Sequence, residues 1–503
     1  MANLTRRIFI FWVTVMAASL WLLWLFDDGL GISWPANTLR NWHEFGLPAL
    51  HGALVFNPGG FQAVTNPQVY PGMSPFYLYP VWFCTQLAGG TGLGTFAFYL
   101  VLGVSVVWGI WSLLGKTGFA QLVAVAVILS PGYGRWLISI DPNAISVLLG
   151  IPYAAAILEL LKKPRLRAAD VIIISVLTAL FVPLNWTTAW VLAPFGVFLL
   201  TTSQVRRATA IKYLSVTAVA AISFVLFSMA NKTAGSGKAG LGDFLAGYTW
   251  GNVGYGLGLT TGRACLRIFF VTIIGLMPVL VIWGTKVVHG FRTAPAGVWA
   301  ALLPCGMALM EVLAMRNYFG HHPWMTEPVI IVGLIFSFNL LAGSLGEARP
   351  VVGGVLKPLL GTAAVCLIYG LAVVLFYRTN GSEGRTLINL VRHHTARPDW
   401  IVLVKNIDPV TMQIGERLDG NIDRHVVVVD DLKDLPPGQQ VFLLTEAPIN
   451  SGQLVAESST GSGSGMDAGL QKVANWFNRT IAHRKPGDRL EFAGHYYLYR
   501  PAP

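Results

Sequence analysis

The chain has 503 residues, of which 54% are hydrophobic and only 12% charged, with mean hydropathy +0.58. A soluble domain carries roughly 25% charged residues, so this composition excludes a soluble globular protein and implies a polytopic membrane protein with a polar appendix. The net charge of +11 is no nucleic-acid signature, because Lys and Arg cluster between apolar runs, where they set orientation in a membrane.

In chain order, Arg6 and Arg7 precede an apolar, Trp-rich run, Ile8 to Phe26, with no small-residue cleavage site after it. It reads as an uncleaved first spanning helix with a cytoplasmic N-terminus. Two carboxylates, Asp27 and Asp28, end it. By position they are either the polar end of a helix or functional groups, since carboxylates at a membrane exit are costly unless something solvates or uses them. A long aromatic loop runs to Tyr70 and ends in a Tyr/Pro-rich turn, Tyr70-Pro71 to Tyr79-Pro80. Pro75 to Leu87 is apolar but too short to span. It predicts a helix lying in the interface, with Tyr77, Tyr79 and Trp82 at headgroup level.

About ten further spans follow from apolar length and flanking charge: 93–115, 119–132, 142–161, 168–184, 187–204, 211–229, 268–288, 295–314, 327–345 and 351–377. Basic residues fall at every second connection: Lys116, the run Lys162 to Arg167, Arg206 with Arg207 and Lys212, Lys286 with Arg292, and Arg349. About eleven helices with the N-terminus inside place the C-terminus outside. The outer stretches are then 27–92, 133–141, 185–186, 230–267 and 315–326, and 230–267 reads as a Gly-rich aromatic loop. The polar tail, 378–503, alternates β-rich runs with a helical stretch: Trp400–Val404, Val426–Val429, Val441–Leu444, Gln471–Ala482 (helical) and Leu490–Tyr499. It predicts a small periplasmic α/β domain, and Ser451–Gly465 reads as a flexible loop. Residues 1–377, with the loop 27–92, form the transmembrane domain. Cys84, Cys265, Cys305 and Cys366 all lie in or beside apolar segments, so no disulfide framework is implied.

Three outer stretches carry chemistry. The first is Asp27-Asp28. The second is Arg135 to Asp141, followed by Pro142-Asn143; Asp141 is either a helix cap before Pro142 or a second acidic residue facing the cavity of Asp27 and Asp28. The third holds Arg316, His321 and His322, with Glu311 slightly inside the preceding span. An ionisable group there needs a partner or a polar cavity. Adjacent histidines alone are weak evidence for a metal. Carboxylates suit deprotonation of an acceptor hydroxyl, and Arg and His suit a leaving phosphate.

On these residues the sequence resembles the GT-C superfamily of integral-membrane glycosyltransferases, in particular the protein-mannosyltransferase and lipid A aminoarabinose-transferase group. The acidic pair after the first span, the Tyr/Pro-rich turn leading to an interfacial helix, and the Arg-x5-Asp of Arg135 and Asp141 carry the likeness. It implies a bacterial inner-membrane enzyme that moves a sugar from a polyprenyl-phosphate donor to a glycan, lipid or protein acceptor, with no nucleic-acid partner. Asp27 is the expected general base, with Asp28 the close alternative and Asp141 in support. Many relatives carry Lys-Pro-Pro or His-Pro-Pro in the turn; here the stretch is Gly72-Met73-Ser74-Pro75. The donor phosphate therefore falls to Arg135, Arg316 and His322, and Tyr70, Tyr77, His321 and Glu311 line the expected cavity. A divalent metal is left open. The competing readings are an O-antigen-type polymerase or ligase using a lipid diphosphate, and a lipid or sugar transporter. The acidic pair favours the first reading over the polymerase. Against a transporter stands the lack of an inverted hydropathy repeat or paired broken helices.

Overall fold

The computed structural model describes residues 38–39, 41–43, 45–55, 74–88, 91–114, 142–236, 261–314, 319 and 326–345. In the tail it describes 387, 389–396, 399–404, 425–429, 431, 440–445, 448–449, 452–459 and 495–501. Two compact units emerge. One is Met1–Leu23 with Pro71–Gly370, and the other is Trp24–Tyr70 with Leu371–Pro503.

The first unit is helical. A 3-10 turn, Pro75–Tyr77, leads into α1 (Tyr79–Leu87), followed by α2 (Thr91–Leu113) and α3 (Pro142–Leu161). Then come α4 (Ala168–Phe181), α5 (Ala189–Thr201), α6 (Arg207–Ser236), α7 (Thr261–Thr293), α8 (Pro295–Ala314) and α9 (Thr326–Leu345). Long apolar runs become helices because lipid offers no partner for a backbone N–H or C=O. Five described helices are long and apolar enough to cross a membrane: those within α2, α3, α6, α8 and α9. The helices pack through small residues, as membrane helices do. A Cβ added at Gly109 of α2 would stand 2.9 Å from Pro152 Cα of α3, and one at Gly333 of α9 would stand 2.9 Å from Pro304 O of α8.

Several boundaries differ from expectation. The helices α6 and α7 run past the spans at 211–229 and 268–288, so both ends of the stretch 230–267 are helical rather than loop. The connection at 185–186 is longer. After α4 stops at Phe181, two 3-10 turns, Val182–Leu184 and Trp186–Thr188, precede α5. The expected spans 8–26, 119–132 and 351–377 lie outside the described residues. Pro75–Leu87 is helical as predicted, and Tyr77 is fully buried against the protein. The exposed apolar side chains of this segment are instead Phe76, Phe83 and Leu87.

In the second unit, the described part of the first loop is closed by buried bonds. Thr38 Oγ1 and Asn41 Nδ2 both donate to Val55 O at 3.0 Å, and Trp42 Nε1 donates to Ala53 O at 2.8 Å. The tail forms a five-stranded sheet of β1 (Trp400–Val404), β2 (His425–Val429), β3 (Val441–Thr445), β4 (Gln453–Ser459) and β5 (His495–Arg500), in the order β2-β1-β3-β5-β4. The pairs β1–β2 and β1–β3 are parallel, and β3–β5 and β5–β4 antiparallel. Every residue of β1 is buried, as a central strand covered on both faces requires. Ile401, Leu403, Val426, Phe442 and Leu498 pack with Leu387, Leu390 and Val391 on one face; Trp400, Val402, Val427, Leu443 and Tyr499 form the other. Of the flexible-loop reading of Ser451–Gly465, the strand β4 corrects the part 453–459, and 460–465 lie outside the described residues. Its Ser and Gly content hid a strand that pairs Gln453 with Arg500 through Ser459 with His495. Gly452 enters it at φ +124°, where a Cβ would stand 2.6 Å from Arg500 O, so only glycine fits. The helical stretch expected at Gln471–Ala482 lies outside the described residues.

Candidate active site

The described geometry gathers around the 182–188 connection between α4 and α5, with the start of α3 at Pro142 and with Phe319. The helix α4 has 14 residues and α5 has 13, about 20 Å each at 1.5 Å per residue, well short of the roughly 30 Å hydrocarbon thickness. In the connection between them Val182, Leu184, Asn185, Thr187 and Thr188 are all buried. Non-helical backbone at membrane depth is stable only where protein covers it or where it lines a cavity.

Asn185 is the centre of this connection. Its backbone is extended, φ −166° and ψ 162°. Its carbonyl accepts from Thr188 N at 3.1 Å and Thr188 Oγ1 at 2.8 Å, and its side-chain Nδ2 donates to Asn143 Oδ1 at 3.0 Å. Both amides are buried, Asn185 at 1% and Asn143 at 3% exposed. Asn143 is the second residue of α3, which starts at Pro142, one residue after Asp141. A buried amide left unbonded costs about 1–3 kcal/mol, so the pair holds the start of α3 against the 182–188 connection.

Five residues further on, Trp190 meets Phe319. Its ring lies 5.0 Å from that of Phe319, and Phe319 is fully buried. In sequence, Phe319 stands between Arg316 and His321. The turn Pro75–Tyr77, capped by a bond from Phe76 N to Ser74 Oγ at 3.3 Å, touches both the Val182–Leu184 turn and α3. The stretch 182–190 thus touches the start of α3, Phe319 and the Pro75–Tyr77 turn.

Of the candidate site residues, Tyr77 and Glu311 are described. Tyr77 is buried in the 75–77 turn. Glu311 lies in the last turn of α8, and its Oε2 is buried without a hydrogen-bond partner among the described residues. Asp27, Asp28, Tyr70, Arg135, Asp141, Arg316, His321 and His322 lie outside the described residues. Two features escaped sequence reasoning. Asn185 follows directly on an apolar stretch, Phe181-Val-Pro-Leu, assigned to a span, and stands in the two-residue outer connection 185–186. Glu327, in the first turn of α9, is 1% exposed; it reads as an ordinary N-terminal acid, and only burial marks it out. Among the described residues, no group of His, Cys, Asp or Glu has the arrangement of a metal site.

An apolar helical bundle with prolines inside α3, α5 and α8 and a buried polar connection between α4 and α5 has the fold of the GT-C membrane glycosyltransferases. The particular structure that carries this is ArnT from Cupriavidus metallidurans bound to undecaprenyl phosphate, similar at TM-score 0.51 and 12% identity over 88% of this chain and 96% of that one. The same protein in its apo state is similar at TM-score 0.48 and 13% identity, with the same coverage. The archaeal oligosaccharyltransferase AglB from Archaeoglobus fulgidus is a looser likeness, at TM-score 0.39 and 11% identity over 85% of this chain and 64% of that one. No protein-family model and no curated protein matches the sequence.

Proposed function

We propose that this chain is an inverting glycosyltransferase that moves a sugar from a polyprenyl-phosphate donor to an acceptor hydroxyl at the outer face of a bacterial inner membrane. The observation that supports this most is a pair of contacts on 182–190: Asn185 donates to Asn143, two residues after Asp141 in sequence, and Trp190 packs on Phe319, which stands in sequence between Arg316 and His321. Acid and cation are needed at one place when a phosphate leaves and a hydroxyl attacks. The fold likeness to a protein solved with undecaprenyl phosphate points to the same donor class.

In this reading Asp27 takes the acceptor proton, with Asp28 as its close alternative, and the hydroxyl oxygen attacks the anomeric carbon. The bond to the phosphate oxygen breaks on the opposite face, which inverts the centre. Arg135, Arg316 and His322 neutralise the departing phosphate, which needs no strong acid. Asp141 orients the acceptor. The chain crosses the membrane about eleven times, with the tail domain 378–503 outside; a reporter fused after Pro503 is active only in the periplasm, and cytoplasmic activity would remove a span and place the carboxylates and cations on opposite faces.

The test is donor choice. Purified protein in lipid nanodiscs, given polyprenyl-phosphate-linked and polyprenyl-diphosphate-linked sugars with an envelope extract as acceptor, releases polyprenyl phosphate only from the first. Turnover of the diphosphate donor alone would make this chain a polymerase or ligase.

A further inference from the structure

We propose that the end of the helical unit where α3 stops and α4 and α6 start is a binding site for an anionic phospholipid. Buried hydroxyls tie these three helices together. Tyr153 OH of α3 meets Tyr213 OH of α6 at 2.6 Å and Thr178 Oγ1 of α4 at 3.1 Å. At 1.5 Å per residue this cluster lies about 12 Å from the end of α3 at Leu161, about 15 Å from the start of α4 at Ala168 and about 9 Å from the start of α6 at Arg207. The connections 162–167 and 202–206 therefore share one end of the bundle.

That end has more cations than its own acids can pair. Between Pro142 and Ser236 the sequence holds two carboxylates, Glu159 and Asp170. Lys162 takes Glu159 at 2.9 Å, and Lys163 takes Asp170 at 2.5 Å, where Arg167 N also donates. Arg165, Arg206, Arg207 and Lys212 are exposed and form no ion pair among the described residues. Beyond the cations both helices stay exposed and turn apolar, with Ile172, Val176 and Leu180 on α4 and Ile211, Val219 and Ile222 on α6. Only 17% of the α6 span is buried inside the protein. A free phosphate or a nucleotide has no use for such a surface. An anionic phospholipid fits both parts, its phosphate among the cations and its acyl chains along the apolar side chains, as acidic headgroups do in basic pockets at helix ends. Orientation in the membrane needs basic residues only in the connections, whereas Lys212 stands in the second turn of α6, where its long stem can lift the ammonium to headgroup level.

The test is native mass spectrometry of the purified full-length protein with phosphatidylglycerol, phosphatidylcholine of matched chains, and undecaprenyl phosphate. The expected result is selective retention of phosphatidylglycerol over phosphatidylcholine. Arg206→Gln with Arg207→Gln weakens that retention about 30-fold, the loss of two cations at a headgroup, while Lys286→Gln with Arg292→Gln, on another basic connection, changes it less than about twofold. Arg206→Lys with Arg207→Lys keeps it, because charge holds the headgroup. Arg165→Gln with Lys212→Gln carries the same test where the first pair does not fold. Equal retention of the two phospholipids, or an equal loss in the Lys286 and Arg292 pair, would overturn the inference. So would a preference for undecaprenyl phosphate that the Arg206 and Arg207 pair removes, which would make this a site for the polyprenyl lipid.

Discussion

The two ends of the helical unit are held by different physics. At the end of the basic connections, charges do the holding, one pair in the open and one with its carboxylate, Asp170, buried. Lys162 Nζ meets Glu159 Oε1 at 2.9 Å with the two side chains 31% and 55% exposed, and Lys163 Nζ meets Asp170 Oδ1 at 2.5 Å. At the other end the ties are neutral and buried: Asn185 to Asn143, and Trp190 against Phe319. Exposed ion pairs are screened and worth little, but their lysines orient the chain in the membrane. Buried neutral ties cannot be exchanged for water and so define geometry. The difference teaches where a site that must hold atoms in register belongs.

The contrast is sharpened by substitution at each end. The largest effect is expected of Phe319→Ala, which removes a fully buried ring and its contact with Trp190 and costs about 3–5 kcal/mol; unfolding in mild detergent shifts down strongly. Next is Tyr153→Phe, between the two ends. It deletes a hydroxyl bonded to Tyr213 OH at 2.6 Å and Thr178 Oγ1 at 3.1 Å, and its cost is about 1 kcal/mol. Smallest is Lys162→Ala, at about 0.5 kcal/mol or less, with its loss seen in membrane orientation rather than in unfolding. Equal sensitivity of Phe319 and Lys162 would erase the distinction.

Much of this was legible in the sequence for a plain reason: apolar length and strand composition are strong, local signals. The strand Trp400–Val404 was expected where it stands, and the start of α3 at Pro142 followed from the proline itself. The helical segment Pro75–Leu87 was legible from its length, but the burial of Tyr77 was not, since it depends on the distant Val182–Leu184 turn and α3. The same holds for Asn185 and Asn143, 42 residues apart: neither is unusual in its own window, and only packing joins them. In β4, ladder partners on β5 override a composition that favours loops.

The central claim is that a carboxylate at the first membrane exit takes the acceptor proton, and the direct measurement is transfer by Asp27→Asn and Asp28→Asn single variants, purified and assayed with the polyprenyl-phosphate donor. The account predicts that Asp27→Asn lowers turnover by about 10²- to 10⁴-fold, the range of general-base catalysis, while polyprenyl-phosphate binding and unfolding temperature stay at wild-type values. Full transfer activity in both variants would contradict it.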